Sequence, residues 1–168
     1  MLKTILWVVA SCGLLVGCHA DNQSQPLPLP PLANSIVSPD TATESEKDDT
    51  IAVDILVADA VFTAQFYDNE TTRALTARFP MTIEMDELNG REKKYDLPEN
   101  LPATSTEQPE TISTGEIMSW SGNVLVLFYK DFSNSYNGYV RLGKIDNPSG
   151  LATALGSGPV QVTWSLAE

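Results

Sequence analysis

A chain of 168 residues with 22 acidic and 10 basic side chains carries a formal charge of −12, which repels nucleic acid and anionic lipid headgroups alike and leaves no basic face to serve either. Both cysteines, Cys12 and Cys18, and the single histidine, His19, sit at the N-terminal end. Whatever folds beyond them has no disulfide, thiol nucleophile or imidazole, so histidine-based acid–base catalysis is removed, a zinc site is chemically poor, and no cofactor is expected.

The chain opens with Lys3 and the apolar stretch Ile5 to Val16, too short to span a bilayer as a stable helix and therefore read as a processing segment. It reads either as an ordinary secretory signal or as something sharper, because Leu15-Val16-Gly17-Cys18 resembles the bacterial lipobox, in which small residues precede a cysteine that is acylated before cleavage. The lipoprotein reading is the expected one: residues 1–17 leave, Cys18 becomes the lipidated first residue, and the bilayer is the first partner. Acyl chains on Cys18 supply the two hydrophobic signals that stable anchoring needs. Lys3 is the one charged residue before Cys18, so the mature chain is more negative still, and lipid rather than a basic patch must hold it. Position 19 is His, where Asp marks inner-membrane retention in many two-membrane bacteria. The expected address is the cell envelope, at the outer membrane facing the periplasm.

Residues 18–50 are rich in Pro, Ser, Thr, Asn and Asp, with Pro26-Leu27-Pro28-Leu29-Pro30-Pro31 suited to polyproline II and a mostly acidic run from Asp40 to Asp49. As a flexible coil such a stalk spans on the order of 30 Å. The Pro-Leu repeat is either a spacer, which is the expected reading, or a docking peptide for a partner.

The folded domain is expected over residues 51–168, enough for one core and too little for two. Ile51, Val53, Ile55 and Val57 alternate with Ala52, Asp54 and Leu56 before Ala58-Asp59-Ala60, and the alternation resumes from Val61 to Tyr67, which predicts a hairpin. Asp68 or Asn69 offers a cap, and Leu75 and Phe79 lie four apart before Pro80, so a helix is predicted from Glu70 to Arg78. Met81, Ile83 and Met85 alternate, Asn89-Gly90 marks a tight turn, and Lys93 to Leu97 reads as a polar, edge-like strand. Pro98 to Thr111 holds three prolines and three glutamates and reads as a long surface loop.

The run Val124-Leu125-Val126-Leu127-Phe128 is apolar at every position, as only a strand covered on both faces or central in a closed sheet can be. With Gly115 to Trp120 before it and Tyr139 to Gly143 after it, three consecutive strands are expected to meander here. Asn147 then caps and Pro148 starts a second helix, with Leu151 and Leu155 inward and Gly156 at its end. The last strand puts Val160, Val162, Trp164 and Leu166 inward and Gln161, Thr163 and Ser165 outward. The count is eight short strands and two helices: a mainly β, closed eight-stranded barrel with two capping α-helices.

This order, with Leu88-Asn89-Gly90, Tyr95-Asp96-Leu97-Pro98, Gly115-Glu116-Ile117-Met118, Leu125 to Lys130, Tyr139-Val140-Arg141-Leu142-Gly143 and Leu155-Gly156-Ser157-Gly158, resembles the bacterial cyclophilin-like domain family over nearly all of Ile51 to Leu166. The resemblance implies a closed barrel with a helix at each end, like the cyclophilin prolyl isomerases. Isomerising cyclophilins carry a Phe-His-Arg segment, a Phe-Met-x-Gln segment and a further tryptophan and histidine, with the arginine stabilising the twisted amide. None of these motifs maps here, and Arg73, Arg78, Arg91 and Arg141 stand in unrelated contexts.

Candidate site residues therefore come from the loop Asp131 to Gly138 and its flanks. Trp120, Phe128, Tyr129, Phe132, Tyr136 and Tyr139 with Arg141 and Glu116 combine aromatic faces, phenol hydroxyls and a guanidinium suited to gripping an extended peptide or a small polar ligand. Alternatively Phe128 and Phe132 are core, the tyrosines cover the barrel wall, and Arg141 is an ion-pair partner for Glu116. Glu116 with Asp131 could be a carboxylate pair, but no separation follows from their spacing. Two functions stay open: a non-catalytic binding module for an envelope protein, peptide or small ligand, and a prolyl isomerase or folding assistant.

Overall fold

The computed structural model describes residues 50–168; the signal segment, Cys18 and the Pro-rich stalk lie outside the described residues. Thr50–Val57 (β1) and Ala60–Tyr67 (β2) form the expected hairpin, in register from Thr50 opposite Tyr67 to Val57 opposite Ala60. Val53, Ile55 and Val57 and, from β2, Phe62, Ala64 and Phe66 are buried, as strand alternation requires of one face packed inward. Helix α1, Glu70–Thr76, starts where the Asn69 side-chain oxygen accepts the Thr72 backbone N–H at 2.8 Å, which satisfies one free donor of the first turn. It ends two residues short of the predicted Arg78. A residue before proline is pushed out of the helical region, so the chain leaves the helix ahead of Phe79-Pro80.

Met81–Leu88 (β3) and Glu92–Asp96 (β4) follow, then the two-residue strand Thr111–Ile112 (β5), Glu116–Trp120 (β6), Val124–Phe128 (β7), the two-residue Phe132–Ser133 (β8), Tyr139–Ile145 (β9), helix α2 at Leu151–Leu155, and Val160–Leu166 (β10). Eight strands close into a barrel in the order β1-β10-β3-β4-β7-β6-β9-β2, which leaves the barrel no unpaired edge. α1 connects Tyr67 to Met81, at the end where Met81 pairs with Trp164; α2 connects Ile145 to Val160, at the opposite mouth. Each sends leucines, Leu75 from α1 and Leu151 and Leu155 from α2, into the main core.

The apolar run of β7 has two destinations. Leu125 and Leu127 face the barrel interior with Ile117, whereas Val124, Val126 and Phe128 face outward and join Ile112, Met118 and Tyr139 in a second core. The β5–β8 pair supplies Ile112 and Phe132 to that outer layer. Both faces of β7 are covered, one by the barrel and one by this small flap.

Several expectations are corrected. The predicted meander is not one: β9 pairs with β6 and β2, and β7 lies between β6 and β4. The strand read as edge-like, β4, is paired on both sides, and Lys93 is wholly buried. Its Nζ donates to Glu87 Oε2 and to the Gly158 carbonyl, both at 2.6 Å, and Glu87 Oε1 accepts from the Tyr129 hydroxyl at 2.7 Å. Lysine is affordable there because its buried charge meets the Glu87 carboxylate and the Gly158 carbonyl. Leu166, expected inward, is 52% exposed because β10 ends at the barrel mouth. Asn147 does not cap α2; its side chain accepts the Ser149 N–H in a local turn, and the helix starts after Gly150 without a side-chain cap. The loop from Pro98 is pinned rather than free, with Leu101 buried and its N–H given to Gly122 O at 2.7 Å.

Gly143 is required by close approach. A Cβ there would lie 2.4 Å from the Gln65 carbonyl and against Phe66, and the neighbouring β6–β9 ladder shifts register between Ile117 and Met118.

Candidate functional site

The outer faces of β4, β7, β6 and β9 are brought side by side by the barrel order. Across them the register aligns Asp96, Val124, Trp120 and Tyr139 in one row and Lys94, Val126, Met118 and Arg141 in the next. Over this surface lies a groove of about 320 Å³ with Val124 and Val126 in its floor, Trp120, Tyr136 and Tyr139 on one side, Leu88, Asn89, Arg91 and Glu92 on the other, and Lys94 and Asp96 completing its lining. Apolar floor with a few convergent polar groups is the composition of a ligand site.

The aromatic cluster assembles. Trp120 and Tyr139 rings lie 6.5 Å apart, Tyr139 and Phe128 6.2 Å, Phe128 and Phe132 5.7 Å, and the Arg91 guanidinium sits 3.9 Å over Phe132. These tilted and edge-on contacts form an unbroken chain from Trp120 to Arg91. Trp120 is held by its indole N–H donating to Asn137 O at 2.9 Å while its face stays 37% exposed, and Tyr136 is 58% exposed at the rim. Asn134 shapes the loop that presents Tyr136, donating to the Pro109 and Tyr136 carbonyls and accepting the Tyr136 N–H.

Charge in the groove is perturbed by burial. Burial raises the Glu92 carboxyl above its ordinary value, with the Asn89 hydrogen bond and the Arg91 charge opposing. The Tyr139 phenol is also raised, first by burial and then by the nearby Glu92 charge. Glu92 and Tyr139 thus line the same groove as buried groups whose charged forms burial disfavours.

The other candidates lie elsewhere. Phe128 is fully buried beneath the groove and Phe132 half-buried under Arg91. Tyr129, next in alternation, turns to the barrel interior, where burial and its bond to Glu87 push its phenol up to about 12. Arg141 forms ion pairs with Glu107 at 2.8 Å and with Glu116, and it lines a separate polar cleft of about 570 Å³ with Glu70, Arg73 and Thr104. Glu116 also accepts the Ser113 N–H, and Asp131 accepts the Thr114 N–H and hydroxyl. Glu116 therefore closes a local turn, while Asp131 ties the segment after β7 to Thr114. Among the described residues, no three His, Cys, Asp or Glu side chains gather closely enough to hold a metal ion.

Sequence reasoning missed Arg91, Glu92, Lys94, Asp96, Val124 and Val126. Strand alternation places Glu92, Lys94 and Asp96 on one face, but reading them as groove residues needs β4 beside β7, a pairing that no local pattern encodes.

Comparison with known proteins agrees with this architecture. A hypothetical protein from Archaeoglobus fulgidus, solved in solution, superposes with a TM-score of 0.57 at 17% identity, covering 73% of this chain and 99% of that one; at that identity the likeness is one of fold. No curated protein matches the chain. The model of the cyclophilin-like family matches residues 55–165, the span that builds the barrel and both walls of the groove, and the chain belongs to that family.

Proposed function

We propose that the chain is a membrane-anchored bacterial lipoprotein whose cyclophilin-like barrel is a non-catalytic binding module, gripping a short peptide or small polar ligand in the cell envelope. The groove between Trp120, Tyr136 and Tyr139 and the Arg91–Glu92 wall carries this reading, because exposed aromatic faces over an apolar floor favour an extended ligand. The folded region has no histidine, and fold alone does not transfer activity. One observation favours the second reading, a prolyl isomerase: Arg91 brings a guanidinium into an apolar groove.

One purified sample tests both. The full-length chain in mild detergent should give no proline isomerisation above background in a protease-coupled assay, while peptides selected on it from a display library should bind and lose about 1–2 kcal/mol with Tyr136→Ala. A robust isomerisation rate would overturn the non-catalytic reading, and failure to select any peptide would overturn peptide binding. Cys18→Ala should move the protein out of the membrane fraction; retention there, with no fatty-acid label on the unaltered chain, contradicts the anchor.

A further inference from the structure

The groove wall holds two consecutive groups whose hydrogen-bonding capacity the fold leaves unused. The Arg91 guanidinium lies 3.9 Å over the Phe132 ring; its Nε–H, shielded from solvent, meets no acceptor among the described residues, while the side chain as a whole stays 28% exposed. Glu92 is only 6% exposed, yet its Oε1 receives one long hydrogen bond, 3.4 Å from Asn89 Nδ2. The two are 3.9 Å apart, too far to satisfy each other. An occupant that offers an acceptor to the exposed part of the Arg91 guanidinium and a donor to Glu92 gains hydrogen bonds that the protein itself does not make.

The missing partner is an acceptor for Arg91 and a donor for Glu92 on a single edge. A trans peptide group points its C=O and N–H in opposite directions. A carboxylate brings no donor and meets Glu92 as a like charge, and an ammonium meets Arg91 as one. A primary carboxamide presents C=O and NH₂ side by side. With Arg91 and Lys94 set against Glu92 and Asp96, the groove is balanced in charge and suits an uncharged head. The rim formed by Trp120 and Tyr136 gives flanking residues a surface beyond that head.

Resting on the groove being the binding site, we infer that it seats a peptide through a glutamine or asparagine side chain, whose carboxamide accepts from Arg91 and donates to Glu92. The test uses the full-length chain in detergent and fluorescein-labelled Ala-Ala-X-Ala-Ala pentapeptides with X = Gln, Glu or Leu, read by anisotropy. The Gln peptide should bind at least roughly tenfold tighter than the other two, because a site built for a hydrogen-bonding group rejects analogues that lack it. Glu92→Gln should reverse the Gln-over-Glu preference, the new amide now donating to the acid. Should that variant not fold, the three peptides on the unaltered chain still decide. Equal binding of all three overturns this inference and leaves the groove standing; no binding by any overturns both. Displacement of the Gln peptide by free propionamide at the same concentration overturns the peptide as the carrier of the amide.

Discussion

Replacing Lys93 by methionine probes the polar plug that joins β3, β4, β7 and the segment before β10. Lys93 is fully buried, donating to Glu87 and to Gly158 O, and Tyr129 occupies the other Glu87 oxygen. Methionine keeps most of the aliphatic stem, so the loss comes from stripping donors rather than from a cavity. Removing one partner of a buried ion pair costs about 3–5 kcal/mol. The Glu87 side chain, however, remains 21% exposed, so water replaces part of the lost donor and the expected cost falls to about 2–3 kcal/mol. Lys93→Ala adds the cavity left by the stem and should cost about 4–5 kcal/mol. Urea unfolding followed by tryptophan fluorescence reads this directly, since Trp164 is fully buried and reports loss of the core, with an unchanged m-value as the control. Glu87→Gln leaves the wholly buried Lys93 ammonium without a counter-charge and should cost at least as much as Lys93→Met, and the double variant should lose less than the sum. A loss below about 0.5 kcal/mol for Lys93→Met, the range of a surface substitution, would refute the buried pair and with it the central placement of β4.

Leu127→Ala, at a fully buried position of the main core, should cost about 3 kcal/mol in the same assay, while Thr163→Ala, giving up a hydroxyl bond to Thr82 on the outer wall, should cost below about 1 kcal/mol; equal losses would contradict the inside–outside assignment. Arg141→Ala should lower stability by about 1–2 kcal/mol by releasing Glu107 and Glu116, with binding at the groove unchanged, and the reverse pattern would make it a ligand clamp. The pH profile has two limbs. Burial raises the Glu87 carboxyl, but hydrogen bonds from Lys93 and Tyr129 outweigh it and hold the carboxyl below its ordinary value, so its contribution is present above that value and lost as pH falls through the folded pKa. Tyr129, pushed up to about 12, contributes fully below pH 10 and loses that contribution as pH rises towards 12; an alkaline limb unaltered in Tyr129→Phe would show that another group sets it.

The two halves of the candidate site were not equally legible. Trp120, Phe128, Phe132, Tyr136 and Tyr139 are close in sequence, and a strand–loop–strand segment keeps such residues close in space whatever the rest of the barrel does. Arg91 and Glu92 lie more than twenty residues upstream of that segment, and only the pairing of β4 with β7 brings them to it. Arg141 shows the opposite case: near in sequence to the tyrosines, it turns to Glu107 and Glu116, because the bridge of Glu107 to Tyr139 and the start of β6 bring both carboxylates to it.

By itself the sequence determined what depends on local periodicity and end chemistry: the first hairpin, a helix cap at Asp68 or Asn69, the Gly156 stop, and a strand at Val124–Phe128 needing cover on both faces. The count of eight strands read from their alternation likewise pointed to a closed, mainly β domain. Tertiary structure decided what depends on which strands are neighbours. Lys93 reads as a solvent-facing residue of an edge strand, because a lysine's partners cannot be seen from its own position; Glu87 and Gly158 make it interior. The second core was hidden for the same reason, since Ile112 and Phe132 sit in strands of two residues, too short for any alternation to register, and gain their role only by pairing over the outer face of β7.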